Sequence, residues 1–212
     1  MSKGKRKPVR SRHSRDAWPQ QTAGGESGYP GRLRIIGGKW RRQRLLVPAG
    51  VSVRPTPDRV RETLFNWLGP WLPAARCIDL FAGTGALCLE ALSRGAASAV
   101  MVESSPRVAT VLRENVARLG AENAHIVERD AVAYLQGPVQ AFDIVFIDPP
   151  FDSELIAHVS RLLDERGWIN PGGLVYVEAP RQLTVPPIPN TWELLHSQVA
   201  GHVGYHLARN PR

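Results

Sequence analysis

Cysteine is scarce in this sequence, and long apolar runs are missing. Only Cys77 and Cys88 occur in 212 residues, and both have apolar neighbours. Their spacing fits neither a zinc site nor a disulfide framework, so we expect two buried free thiols, a reducing compartment and no metal site. No apolar stretch reaches the roughly 20 residues that span a bilayer, and none follows the early positive charges as a secretory signal requires. These absences favour a soluble cytoplasmic protein without a membrane partner.

Acidic residues are scarce at the N-terminal end. Residues 1–44 contain 13 Lys or Arg but only Asp16 and Glu26, a net charge of +11, whereas the whole chain carries +8. The basicity therefore belongs to one end, where it can displace the counterions of a nucleic acid. Trp40 adds an aromatic face among the cations. The predicted nucleic-acid-binding residues are Arg34, Lys39, Trp40, Arg41, Arg42 and Arg44.

Residues 1–31 are rich in Lys, Arg, Ser, Gly and Pro and contain few aliphatic side chains. Such a segment cannot repay the entropy cost of folding, so we predict a disordered basic tail. A tail that only aids solubility is the alternative. The Arg-rich, acid-poor start also resembles a mitochondrial transit peptide, although Pro8 and the glycines at 24, 25 and 28 suit an amphipathic helix poorly.

The pattern changes at Arg32, where we place the start of a single domain, 32–212. Residues 33–36 and 45–47 predict a small β-hairpin around Gly37-Gly38. Thr56-Pro57-Asp58 predicts a helix start with Thr56 as cap and Pro57 at the first helical position, and this hairpin and helix together form an extension over 32–70. Apolar runs then alternate with helical segments; the runs are 76–81, 98–103, 125–130, 142–148 and 174–179. The alternation predicts an α/β fold, a Rossmann-like, mostly parallel sheet with helices on both faces.

Two further strand-like runs, 192–199 and 202–208, are separated only by a short turn at Gly201. Strands joined so closely must pair antiparallel, because a parallel pair needs a long crossover. The sequence therefore predicts a parallel sheet that ends in an antiparallel hairpin. We see no feature that requires an oligomer and expect a monomer.

The first long strand should lead into a glycine-rich loop, Asp79-Leu80-Phe81-Ala82-Gly83-Thr84-Gly85. Glycines let this backbone turn tightly and approach a ligand at the carboxyl edge of the sheet. A Gly-x-Gly spacing alone is weak evidence, but Asp79 and Phe81 ahead of it make a pattern that resembles motif I of class I methyltransferases. That motif cradles the methionine part of S-adenosylmethionine, so Asp79, Phe81, Gly83 and Gly85 are predicted cofactor residues.

Two acids follow the next strands. Glu103 ends the run 98–103, where its carboxylate can accept hydrogen bonds from ribose hydroxyls. Asp130-Ala131 ends the third strand at the same edge, and we predict that it meets the adenine amino group, although Asp is also a common helix cap.

Asp148-Pro149-Pro150-Phe151 follows the apolar run 142–147. Two consecutive prolines hold the chain extended and leave carbonyl oxygens available as acceptors. Acceptors at Asp148 and the Pro149 carbonyl can hold both hydrogens of an exocyclic amine, and the carboxylate favours the positive charge that develops during methyl transfer. Phe151 is predicted to stack on a flipped target base. These four residues are the predicted catalytic group.

Several segments together resemble the bacterial 16S rRNA (guanine(966)-N(2))-methyltransferase family, over about Arg32 to Arg209. They are Ile35 to Arg41, Arg54-Pro55-Thr56, Asp58 to Asn66, Asp79 to Gly85 and Asp148 to Phe151. The resemblance implies a seven-stranded class I methyltransferase fold, S-adenosylmethionine as donor and guanine N2 of 16S rRNA in the 30S subunit as acceptor. It also implies that Arg54 and Thr56 lie near the cofactor or the base. The tail before Arg32 departs from the compact family pattern.

Three rival functions remain open. DNA amino-methyltransferases share the Asp-Pro-Pro motif, but they usually need a sizeable recognition region, for which little chain remains. Protein-glutamine methyltransferases normally carry Asn at the position of Asp148. A noncatalytic RNA-binding assembly factor would not need this acceptor geometry, and failure to bind S-adenosylmethionine would favour it.

Overall fold

The computed structural model describes residues 33–48, 56–150 and 153–212, which lie in one compact unit, Gly31–Arg212. The predicted tail 1–31, Arg54 and Phe151 lie outside the described residues. The helices are α1 Asp58–Leu68, α2 Ala86–Ser93, α3 Pro106–Leu119, α4 Ala131–Leu135 and α5 Ser153–Arg166. The strands are β1 Arg76–Asp79, β2 Ser98–Glu103, β3 Ala124–Glu128, β4 Phe142–Ile147, β5 Ile169–Pro180, β6 Glu193–Ala200 and β7 Val203–Arg209. Within these ranges no helix combines the length and apolarity that a membrane span needs.

The strands form one seven-stranded sheet in the order β3-β2-β1-β4-β5-β7-β6. Strands β1 to β5 pair parallel, and β7 pairs antiparallel with both β5 and β6. The predicted α/β fold, with a parallel sheet closed by an antiparallel hairpin, is confirmed. Strand β5 begins five residues before the predicted start at 174.

Successive residues of the central strands face opposite sides of the sheet, as strand geometry requires. Cys77 and Ile144 belong to an apolar cluster with residues of α1, α2 and α3, whereas Ile78 and Val145 belong to a second cluster with residues of α4 and α5. Both cysteines are buried free thiols, as predicted. Burial raises the pKa of Cys77 to about 12, so this thiol packs as a small apolar side chain.

The predicted hairpin over 33–47 is formed around one antiparallel bridge, Arg34 with Arg44, and two backbone N–H to carbonyl hydrogen bonds of 2.9 Å flank that bridge. The N–H groups around its turn bond to α2: those of residues 36 and 37 donate to the carboxylate of Glu90, and those of residues 39 and 40 donate to Ser93. Acceptors on α2 thus hold the turn of the hairpin in place. We call this stretch, 33–48, the N-terminal segment.

Helix α1 begins one residue later than predicted. Pro57 is the N-cap residue, no side-chain hydrogen bond caps the helix, and Thr56 donates instead to Glu178 Oε1 at 2.9 Å. The N-cap position falls on Pro57, whose side chain has no acceptor oxygen, and the Thr56 hydroxyl hydrogen goes to the distant carboxylate. Thr56 as helix cap was therefore wrong.

Candidate active site

Acidic side chains gather at the carboxyl edge of the parallel strands. Asp79 ends β1, Glu103 ends β2, and Asp148 follows β4 directly. Parallel strands in register end at one edge, so three chain segments far apart in sequence meet there. Ligands of open α/β sheets bind at this edge.

These acids line a cavity of about 760 Å³. Its volume lies in the range of sites for small molecules and cofactors. The cavity brings together ten of the sequence-predicted site residues: Thr56, Asp79, Phe81, Gly83, Glu103, Asp130, Ala131, Asp148, Pro149 and Pro150. The predicted cofactor loop and the predicted catalytic motif therefore share one chamber.

The glycine loop is held by carboxylates. Asp79 Oδ1 accepts the backbone N–H of Phe81 at 3.0 Å, which turns the chain sharply after β1 and ends that strand two residues before the predicted limit. Glu103 Oε2 accepts the N–H of Gly83 at 3.0 Å, and its Oε1 accepts the N–H of Ser105 at 2.8 Å. Glu103 thus joins the loops after β1 and β2, and each of its oxygens keeps capacity for a further donor.

Gly85 lies behind the loop and not on the cavity lining. Its φ of 82° is left-handed, and a Cβ there would lie 2.5 Å from Leu112 Cδ1. Glycine at this position serves the turn into α2 and its close packing on α3.

Asp130 has a structural role as well as a place on the lining. It is the N-cap of α4, where Oδ1 accepts the N–H of Ala133 at 2.9 Å. These contacts show Asp130 as a helix cap, which is the alternative that the sequence offered. A capping carboxylate still has acceptor capacity toward the cavity.

The cavity is electrostatically unusual because its acids are close and mostly withdrawn from water. Burial, together with the charges of Glu103 and Glu178, raises the pKa of Asp79 to about 7. Burial and the charges of Glu178 and Asp79 raise the pKa of Asp148 well above its ordinary value. A cationic ligand would relieve this repulsion, whereas an anionic one would increase it. The described residues hold no cluster of three or more His, Cys, Asp or Glu suited to a metal ion.

Glu178 is a cavity residue that the sequence analysis missed. It lies in β5, one position after the Val177–Ile147 pair, which places it beside Asp148 on the neighbouring strand. The available signal was an acid at the end of an apolar strand, Val177-Glu178, which repeats the pattern of Val102-Glu103. Its Oε1 accepts hydrogen bonds from Thr56 Oγ1 at 2.9 Å and from Tyr176 Oη at 2.8 Å.

The predicted nucleic-acid-binding residues lie on the N-terminal segment. Arg41, Arg42 and Arg44 are exposed, and Lys39 Nζ lies 5.2 Å from the centre of the half-buried Trp40 ring. Arg34 is exposed but pairs with Asp58 at 3.1 Å. The segment therefore presents cations to solvent while its backbone is fastened to α2.

The N-terminal segment is fastened by a buried ionic network. Arg61, wholly buried, donates to Asp58 Oδ1 at 2.6 Å and to the Arg34 carbonyl at 2.9 Å. Glu90, also wholly buried, lies 3.9 Å from Arg61 and accepts from Arg94 at 2.6 Å. Neither Arg61 nor Glu90 was a candidate from the sequence.

Comparison with known proteins places this architecture in a family. The family model described as conserved hypothetical protein 95 matches residues 33–209. Ribosomal RNA small subunit methyltransferase D of Escherichia coli K12 is 46% identical over 177 residues, which are 84% of this chain and 89% of that protein. The protein of the same name from Haemophilus influenzae is 40% identical over 184 residues, covering 85% of this chain and 95% of its own length.

A solved structure supports the same family and fold. The structure of a putative methyltransferase from Escherichia coli superposes with a TM-score of 0.79 at 45% sequence identity, covering 84% of this chain and 98% of that one. The expected seven-stranded methyltransferase fold and the family resemblance are both confirmed. By fold, by the matched range and by identity, the chain belongs to the conserved hypothetical protein 95 family, as a methyltransferase related to ribosomal RNA small subunit methyltransferase D.

Proposed function

We propose that this chain transfers the methyl group of S-adenosylmethionine to the exocyclic N2 of a guanine in 16S rRNA, within the assembled 30S subunit. The observation that carries the proposal is that the Asp148-Pro149-Pro150 acceptor array and the acids of the glycine loop line one cavity. A methyl donor and a base amine must meet within contact distance for transfer. The homologues named as rRNA methyltransferases support RNA as the acceptor.

The cavity fits S-adenosylmethionine by charge and by donor set. The cofactor carries a cationic sulfonium and an ammonium group, and the described lining of the chamber contains several acidic side chains and no Lys or Arg. Asp79 and the backbone around Phe81 and Gly83 would hold the methionine part, with Gly85 shaping the turn. Glu103 would accept from ribose hydroxyls, and Asp130 with Ala131 would meet the adenine. When bound, the cofactor supplies an electrophilic methyl group.

At the acceptor side, the Asp148 carboxylate and the Pro149 carbonyl would accept the two N–H groups of the amine. This orients the nitrogen lone pair toward the methyl donor, and the carboxylate stabilises the positive charge that develops on nitrogen. A cationic donor in the same chamber opposes the rise in the pKa of Asp148 and keeps it an acceptor. Pro150 keeps the edge rigid. Phe151, Arg54 and the tail 1–31 retain their predicted roles from the sequence alone, in base stacking, cofactor or base contact and RNA binding.

RNA would be held by the exposed cations of the N-terminal segment. Arg41, Arg42 and Arg44, with Lys39 over Trp40, offer phosphate contacts and one aromatic face. Arg34 pairs with Asp58 but is exposed, so its guanidinium group would also contribute positive charge to RNA binding. We propose a cytoplasmic monomer as the acting species.

The test follows labelled methyl transfer from S-adenosylmethionine to 30S particles that lack their native methylation, beside naked 16S rRNA and duplex DNA. The proposal expects N2-methylguanosine at a single site in the particle. Transfer to DNA or to protein would contradict the proposal and show that the chain is a different amino-methyltransferase. RNA binding without cofactor binding would point to an assembly factor.

A further inference from the structure

Glu178 lies beside Asp148, where its carboxylate can contact the ring of the base whose amine would bind at Asp148. It follows Val177, which pairs with Ile147, so its backbone lies next to that of Asp148 on the adjacent strand. Neighbouring strands are separated by roughly 4.8 Å, so side chains at paired positions can converge on adjacent donors of one base edge. Both side chains line the same cavity.

The carboxylate of Glu178 is fixed by two hydroxyl groups. Thr56 Oγ1 and Tyr176 Oη both donate to its Oε1, at 2.9 and 2.8 Å. Burial and the charges of Glu178 and Asp148 raise the pKa of Tyr176 well above its ordinary value, so its hydroxyl stays a donor. Both hydroxyls thus share one oxygen, and a carboxylate offers about four acceptor positions over its two oxygens.

The three bases with an exocyclic amine differ in the ring nitrogen that lies beside that amine on the Watson–Crick edge. In guanine, N1 carries a hydrogen and donates. Adenine N1 and cytosine N3 have no hydrogen at neutral pH and accept. A carboxylate, which only accepts when ionised, therefore matches guanine and repels the other two.

We propose that Glu178 accepts the N1–H of the target base beside Asp148 and thereby selects guanine over adenine and cytosine. This inference rests on the proposed function, since it needs the base amine at Asp148. It gives the site a chemical reason for guanine that the Asp-Pro-Pro motif alone lacks, because that motif accepts from any amine. Glu178 is thus a specificity-determining residue.

The test uses 2-aminopurine, which has the same amine at C2 but an accepting N1. Small-subunit particles are reconstituted with either guanine or 2-aminopurine at the nucleotide that the enzyme modifies. The wild-type enzyme should prefer guanine in kcat/KM by roughly 10- to 100-fold, the usual range for a paired base-edge contact. Equal kcat/KM on both bases would overturn the proposal without any variant being needed.

Glu178→Gln provides the second arm. Its amide oxygen can still accept from Thr56 and Tyr176, while its NH2 group donates to the N1 of 2-aminopurine. The preference for guanine should shrink at least tenfold or reverse. A decrease in kcat/KM that is equal on both bases would assign Glu178 a structural role and overturn the inference.

Tyr176→Phe is the matched control. It removes one hydroxyl from the same carboxylate oxygen and leaves the acid in place, so kcat/KM should fall on both bases while guanine remains preferred. Loss of the preference in this variant equal to that in Glu178→Gln would contradict base reading by Glu178. If the wild-type product is a methylated adenosine or cytidine, the proposed function and this inference both fail. N2-methylguanosine with no discrimination against 2-aminopurine overturns the inference alone.

Discussion

Gly37 donates its backbone N–H to Oε1 of Glu90 at 2.8 Å, although 53 residues separate the two in the chain. The other carboxylate oxygen accepts the N–H of Ile36 at 2.6 Å. One buried acid on α2 therefore holds the turn of the N-terminal segment, which displays the candidate RNA-binding cations. The same acid lies 3.9 Å from the buried Arg61, so its loss would remove one of the carboxylates that compensate this cation.

Glu90→Ala should lower the free energy of unfolding by about 3 to 5 kcal/mol, the usual cost of removing one member of a buried charge pair. Urea unfolding monitored by circular dichroism measures this. Glu114→Ala, at an exposed position on α3, is the control and should change the free energy of unfolding by less than about 0.5 kcal/mol. Equal values for both variants would show that the network contributes nothing to stability.

Gly38→Ala should destabilise the protein more than Gly120→Ala. Both glycines have left-handed backbones, with φ of 72° and 60°, so both variants carry the same strain of about 1 to 2 kcal/mol. A Cβ at Gly38 would lie 1.7 Å from the Ser93 carbonyl oxygen, whereas nothing lies within 4 Å of one at Gly120. The free energies of unfolding of the two variants, measured by thermal unfolding, should therefore differ by about 1 to 3 kcal/mol. A smaller effect at Gly38 would contradict the close packing.

The free protein should lose stability as the pH rises toward neutrality. The pKa of Asp79 is about 7 in the folded protein, so the folded state keeps this proton over a range in which the unfolded chain, with an Asp pKa near 4, has released it. Stability from this group is present at low pH and is lost as the pH rises to about 7. Asp79→Asn should reduce that fall between pH 5 and pH 8 in urea titrations. Glu114→Gln should leave the pH dependence as it is, and an unchanged slope in Asp79→Asn would refute the assignment.

Asp148→Ala should lower kcat for methyl transfer by at least about 10²-fold while the affinity for S-adenosylmethionine stays nearly unchanged, because Asp148 orients the amine. Asp148→Asn retains one acceptor oxygen and should lose less. Single-turnover transfer and calorimetric cofactor titration separate the two effects. A parallel loss of cofactor affinity would assign Asp148 to cofactor binding instead.

Removing two cations from the N-terminal segment should weaken RNA binding and its dependence on salt. For Arg41→Gln with Arg42→Gln, the slope of log affinity against log salt should fall by about 0.7 to 0.9 for each phosphate that the protein no longer neutralises. Arg161→Gln with Arg166→Gln removes the same charge from α5, on the opposite face of the sheet, and should leave the slope nearly constant. Identical slopes for the two double variants would argue that net charge alone binds RNA.

Deletion of residues 1–31 should reduce the affinity for RNA in the same way without abolishing methyl transfer.

Much of the fold followed from local pattern. Alternation of apolar residues set the strands, and the short link at Gly201 required an antiparallel pair. The glycine loop and Asp-Pro-Pro are local motifs whose place at strand ends put them at one edge of a parallel sheet. Asp79, Glu103 and Asp148 could therefore be brought to one site from the sequence, because parallel topology converts strand ends into neighbours.

Partners across long chain separations were decided only by the tertiary structure. Thr56 looked like a helix cap because capping is a local interaction, yet the carboxylate of Glu178 accepts its hydroxyl across 122 residues. The hairpin at 33–47 formed as its local pattern predicted, but only the packed fold placed the Glu90 carboxylate where it accepts the N–H groups around the turn. A sequence pattern determines which groups can form hydrogen bonds, whereas the packed fold determines which acceptor lies nearest and is most shielded from water.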